Sequence, residues 1–213
     1  MSIKPRKVIN TMNYSDDMKS ISRRNAVKLF GLWGLAGLIA AGKASAFEPQ
    51  AVNQRKKILV AYYSYSGNTA KIADYIAEMT AASVFEIVPL LPYASDYDTV
   101  VSQARSEIEK GYKPRLKTEL RRIEEYDVVF VGSPCWWATM APPVSTFLSS
   151  ARFSGKLIVP FMTHEGSGLG RYVDDVRRLS PNARVLDGRA FRGRSVGAAK
   201  GEVESWLNGL VLT

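Results

Sequence analysis

The chain has a single cysteine, Cys135, and a single histidine, His164, among its 213 residues. A lone cysteine cannot close an internal disulfide, so stability must come from the core. It has no second thiol to resolve an oxidised one, and no Lys or His beside it to lower its pKa, so Cys135 reads as a small residue lining a site. A Ser-His-acid hydrolase would have to use His164, yet no Gly-x-Ser-x-Gly elbow surrounds Ser64, Ser66 or Ser167. His164 is the one candidate for acid-base work, set against a loop histidine that bonds locally or to a ligand. No other catalytic residue and no metal ligand is assigned. Internal repeats and low-complexity tracts are also missing.

Two common phosphate loops are absent as well. A dinucleotide fingerprint needs three glycines at fixed offsets, and the turn after the first strand has only Gly67. The segment Gly37 to Lys43 has Walker spacing, but Ala44 stands where the metal-binding hydroxyl belongs. Nucleic-acid binding loses its support once the charge is divided. Of the formal net charge of +9, eight Lys and Arg against two Asp place +6 in residues 1–46, leaving +3 for the rest.

What is present centres on residues 57–76. Lys57-Ile-Leu-Val-Ala-Tyr-Tyr63 is a continuous apolar run without alternation, the pattern of a strand buried on both faces of a parallel sheet. After the loop Ser64-Tyr65-Ser66-Gly67-Asn68-Thr69, apolar residues Ile72, Ala73, Ile76 and Ala77 fall at helical spacing. The loop therefore feeds a helix N-terminus, where unpaired N–H groups and the positive end of the macrodipole favour an anion. Ser64, Ser66, Asn68 and Thr69 add side-chain donors, and Gly67 permits close approach or positive φ. No Lys or Arg lies within the loop, so neutral dipoles would hold a phosphate monoester there. An ordinary N-capping turn is the alternative.

This strand, loop and helix resemble the FMN phosphate loop of the flavodoxin-like family. Val128 to Trp137 and Leu157 to Gly170 are similar to the family's two flavin-flanking loops. The resemblance implies FMN as cofactor, its phosphate on Ser64, Tyr65, Ser66, Gly67, Asn68 and Thr69. One side of its ring would meet Pro134, Cys135, Trp136 and Trp137, and the other Thr163, His164, Gly166, Ser167 and Gly168. It also implies a doubly wound five-stranded parallel sheet of order 2-1-3-4-5 with helices on both faces.

Residues 1–46 read as a signal peptide: a basic region, an apolar stretch from Leu29 to Gly42 too short and glycine-rich to span a bilayer, then Ala44-Ser45-Ala46. Ser22-Arg23-Arg24-Asn25-Ala26-Val27-Lys28 resembles a twin-arginine export signal, with Ala26 and Val27 in place of larger apolar residues. Cleavage is expected after Ala46, followed by a linker over 47–56 and one domain over 57–213. The product would be periplasmic, touching the membrane only during export.

Along that domain, strands are expected at Ser83–Val88, Tyr126–Gly132, Lys156–Met162 and Arg184–Asp187. Helices are expected near Tyr97–Glu109, from Pro142, at Tyr172–Leu179 and at Val196–Leu210, with Arg105, Glu107, Glu109 and Lys110 on a solvated face. Adjacent Trp136 and Trp137 cannot easily share one core, which favours ligand contact by at least one. The expected function is an exported electron carrier served by a redox partner protein or a small-molecule donor or acceptor, without nucleic acid. The alternatives are an FMN-dependent NAD(P)H or quinone oxidoreductase and a binding module with an empty site.

Overall fold

Residues 56–117 and 119–212 are described by the structure, a computed structural model. The leader and all but the last residue of the linker lie outside the described residues, and with them the signal-peptide and cleavage expectations. The elements are β1 (Ile58–Tyr62), α1 (Asn68–Thr80), β2 (Ser83–Glu86), α2 (Tyr97–Glu109), β3 (Val128–Trp136), β4 (Thr139–Met140), α3 (Pro142–Ser150), β5 (Leu157–His164), α4 (Tyr172–Leu179), β6 (Arg184–Val185), β7 (Arg189–Arg192) and α5 (Lys200–Asn208).

The sheet runs β2-β1-β3-β5-β6, and those neighbours pair in parallel. This is the expected five-strand order, since β5 and β6 are the fourth and fifth strands of the sequence reading. Alternate residues of the central strands enter opposite cores. Leu59, Ala61, Val129, Val131, Ile158 and Met162 pack with Val144, Phe147 and Leu148 of α3 and Tyr172 and Val176 of α4. Val60, Tyr62, Phe130, Val159 and Phe161 pack with Ile72 and Ile76 of α1 and Val203 of α5. Apolar residues on both faces thus account for the unbroken hydrophobic runs in β1, β3 and β5.

Three details differ from the sequence expectation. The edge strand is split: β6 pairs with Leu157 and Ile158, β7 with Phe161 through His164. The break falls beside Pro160, which has no N–H to give to a ladder. The helix expected over Val196–Leu210 is likewise divided, into a 3-10 turn at Gly193–Ala198 and α5. Finally, β3 continues to Trp136 and turns back antiparallel to β4, so Ser133 to Trp136 form strand, not loop.

That hairpin turns on Trp137 (φ 51°) and Ala138 (φ 60°), two left-handed residues in succession. Two-residue hairpins need this geometry, and non-glycine residues pay strain of about 1–2 kcal/mol each for it. Neighbouring backbone holds the turn in place. Gly170 packs so closely that a methyl group there would lie 2.2 Å from the Ala138 carbonyl oxygen, and the Arg171 N–H donates to that oxygen at 2.9 Å.

Asp175 of α4 anchors the hairpin from below. It accepts from the Thr139 hydroxyl at 2.6 Å, from Arg178 at 2.9 Å and from Arg171 at 3.1 Å. Burial pushes its pKa up, but the Thr139 bond followed by the two guanidinium groups outweighs it and the net shift is downward. A carboxyl with a depressed folded pKa stabilises the fold above its unfolded value, about 4, and stops doing so as pH falls through the folded value. Asp175→Asn should therefore cost about 1–2 kcal/mol at pH 7, with the deficit shrinking on acidification. Urea unfolding at pH 7 and pH 3 checks this; a deficit that stays constant would contradict it.

Candidate functional site

The turns after β1, β3 and β5 converge beyond the carboxyl ends of the strands on one cleft of about 540 Å³. Open α/β sheets bind ligands there because loops diverge from the sheet at that edge. The volume lies within the range for small-molecule sites.

In the first turn Gly67, at the cap position of α1, takes φ 90° and has no side chain to cap the helix. Tyr65, Ser66 and Asn68 line the cleft. Ser64 and Thr69 do not. The Ser64 hydroxyl accepts the Ala70 N–H at 3.2 Å, and the buried Thr69 hydroxyl bonds that of Thr163 at 2.8 Å, tying the first turn to the third. Two of the four predicted side-chain donors thus shape the loop, leaving Ser66, Asn68 and the uncapped first-turn N–H groups to face a ligand.

From the end of β3 Pro134, Cys135 and Trp136, and from its hairpin turn Trp137, line the cleft. Trp136 is caged edge-to-face by Tyr93, Tyr63 and Tyr65, with ring centroids 4.9, 5.7 and 5.8 Å away. The Tyr93 hydroxyl donates to Glu107 at 2.5 Å, and the Tyr65 hydroxyl to the Ala94 carbonyl at 2.7 Å. Burial first, with the Glu107 bond after it, pushes the Tyr93 phenol far up, and burial does the same to Tyr63. Both stay neutral across the working pH range.

Trp137 is 46% exposed. Its Nε1–H donates to the Val101 carbonyl at 3.1 Å, and the Arg105 guanidinium lies 5.0 Å from its ring centroid. Both contacts fix it against α2, which supplies a wall of the cleft through Tyr97, Val100, Val101 and Ala104. The sequence reading missed this wall. The apolar side of α2 was visible in its spacing, but which loop it faces is not encoded locally. Of the residues assigned there to a solvated face, Glu107 needs correcting. It is part-buried against Tyr93, whereas Arg105 is exposed, pairs with Glu109 at 2.9 Å and also lies over Trp137.

Thr163 and His164 at the end of β5 and Glu165, Gly166 and Ser167 in the third turn line the cleft, while Gly168 (φ 61°) closes the loop behind them. The His164 Nδ1 accepts the Gly168 N–H at 3.0 Å. That bond gives the histidine a local structural task, the alternative weighed against acid-base work. Ser167 Oγ lies 3.2 Å from Cys135 Sγ, joining the second and third turns. Glu165 and Gly193 also line the cleft and were not singled out from sequence. A methyl group at Gly193 would lie 2.2 Å from Glu165 Oε1 and 2.7 Å from Asn68 Nδ2, so a side chain there would make the ends of these two shift.

The cleft is therefore graded, with helix N–H groups, Ser66 and Asn68 at one end and tryptophan and apolar α2 residues at the other. Among the described residues no group of His, Cys, Asp and Glu is placed to hold a metal ion. Fold and site together define a doubly wound α/β protein with a ligand cleft at a strand-end crevice. A family model described as flavodoxin matches residues 57–210, and the chain belongs to that family.

Among solved structures, a Bacteroides uniformis protein described as a flavoprotein is 29% identical, with a TM-score of 0.65, over 72% of this chain and 98% of that one. A Lactobacillus acidophilus flavoprotein, crystallised in complex with FMN, is 28% identical with a TM-score of 0.55, over 71% of this chain and 99% of that one. No curated protein matches the chain.

Proposed function

We propose that the protein is an exported flavoprotein that holds FMN in this cleft and passes electrons. The observation that carries the reading is the uncapped N-terminus of α1 opening into the cleft beside Ser66 and Asn68. Such a terminus offers N–H donors and a positive dipole to a phosphate; of its first-turn N–H groups Ser64 takes that of Ala70, and the glycine at the cap position takes none with a side chain. Family membership and the FMN complex of the Lactobacillus acidophilus relative support the same cofactor.

In this reading Ser66 and Asn68 grip the phosphate, while Ser64 and Thr69 hold the loop in the gripping shape. Trp136, locked by its three tyrosines, presents a rigid aromatic surface to the flavin ring, and Trp137 with α2 keeps water from it. Gly166 and Ser167 approach from the opposite side, where small residues let backbone N–H groups reach a planar ligand. Bound FMN supplies the redox chemistry, and the chain tunes it by burial, hydrogen bonds and charge. The leader directs export, and loading with a cytoplasmic cofactor before translocation suits a route that carries folded proteins. The redox partner is a protein or a small-molecule donor or acceptor.

The exported protein should be yellow, begin at Phe47, and on reductive titration accept electrons in two separate one-electron stages. A colourless protein that does not take up added FMN would overturn the assignment. The second reading is an FMN-dependent NAD(P)H or quinone oxidoreductase, for which the α2 residues Tyr97, Val100, Val101 and Ala104 beside Trp137 would form the wall that a small flat substrate meets. Steady turnover of a nicotinamide or quinone, with reduction in one two-electron stage, would select it.

A further inference from the structure

The phosphate end of the cleft has an unusual charge. No Lys or Arg lies in residues 64–69, and the first basic residue of α1, Lys71, is turned away, its ammonium 4.9 Å from the Tyr75 ring centroid. The tertiary structure brings the carboxylate of Glu165 there. A methyl group at Gly193 would meet both Glu165 Oε1 and Asn68 Nδ2, and the two distances place these atoms within about 4.9 Å of each other. The Arg192 guanidinium donates to the Glu165 backbone carbonyl at 3.3 Å and is not paired with its carboxylate. Among the described ion pairs, none includes Glu165.

We infer that Glu165 sets how strongly the site prefers a phosphorylated flavin over the same flavin without its phosphate. Its carboxylate stands at the end of the cleft that receives the phosphate, and like charges a few ångströms apart repel. The phosphate is then held by neutral dipoles against an opposing charge, which loosens FMN specifically. Riboflavin, which has the same ring and ribityl chain but no phosphate, escapes the penalty. Glu165 is a specificity-determining residue in this sense and takes no part in electron transfer. Gly193 makes the arrangement possible, because any side chain there would displace the carboxylate from Asn68.

The inference rests on the flavin reading above, and one experiment separates the two. Apoprotein is titrated with FMN and with riboflavin, following quenching of flavin fluorescence, for the wild type, Glu165→Gln and Glu165→Ala. Glu165 is exposed, so both variants should keep the fold. Each should tighten FMN about tenfold while leaving riboflavin within about twofold, and the gain should shrink near 1 M salt, where the screening length is about 3 Å. An unchanged FMN-to-riboflavin ratio, or an equal loss for both flavins, would overturn the role of Glu165 and leave the cofactor assignment intact. Failure of the wild type and both variants to quench either flavin would overturn the cofactor assignment, and the Glu165 role with it.

Discussion

Ser66→Asp should weaken FMN binding by about 100- to 1,000-fold while leaving the fold intact. Ser66 lies in the loop that opens the cleft, one residue before the left-handed Gly67, where α1 begins without a side-chain cap. A carboxylate at that point faces the phosphate at a few ångströms. Two unit charges about 4 Å apart repel by about 4 kcal/mol at the effective dielectric of a protein surface, and each 1.4 kcal/mol is tenfold in affinity. An anion beside a helix N-terminus does not harm the helix, because the macrodipole favours it. Binding and stability should therefore separate: FMN titration reports the loss, and the urea midpoint of the apoprotein stays within error of the wild type. Riboflavin should lose far less. Wild-type affinity for FMN in this variant would show that the phosphate sits elsewhere.

Gly132→Ala should destabilise the domain by about 3 kcal/mol, at the upper end of what one inserted methyl costs in a packed core. Gly132 lies in β3 directly opposite Phe161 of β5, and the Phe161 ring folds over it. A methyl group at Gly132 would sit 2.2, 2.5 and 2.8 Å from three carbons of that ring. The ring is fully buried and has no free space to yield into. For a domain of this size the cost corresponds to a fall in Tm of about 6–12 °C. Phe161→Leu alone leaves a void and also destabilises, but Gly132→Ala with Phe161→Leu should cost less than the sum of the two, because one change relieves the other. Additive losses in thermal or denaturant unfolding would rule out the ring contact as the cause. Gly132 immediately precedes Ser133, whose hydroxyl accepts the Ala141 N–H at 2.9 Å inside the second turn, so the variant should weaken flavin binding as well.

The two predictions differ in how much of their basis was legible beforehand. Ser66 belongs to a short motif between a strand and a helix, and all of its chemistry lies within a few consecutive residues. The Phe161 ring over Gly132 joins residues 29 apart in sequence, and nothing in the spacing of either strand announces it. The same contrast runs through the site. Three turns were predicted from their own residues, and the structure brings all three around one cleft. The wall from α2, the carboxylate of Glu165 and the closure over Gly193 were not anticipated, because each depends on elements distant in the chain.

The sequence by itself determined the alternation of strands and helices, the double burial of the central strands and the positions of the turns at the sheet edge. Periodicity and turn chemistry are local, and an unbroken apolar run can be satisfied only by covering both faces. The tertiary structure alone decided which donors of the first turn face a ligand and which are spent on the loop. It also decided that Trp136 stands in a cage of tyrosines, and that the Glu165 carboxylate lies near Asn68 at Gly193. Apart from the local Ser64–Ala70 bond, those outcomes follow from which side chains meet across 28 to 125 residues of chain, and such meetings are set by packing of the whole, not by any one segment.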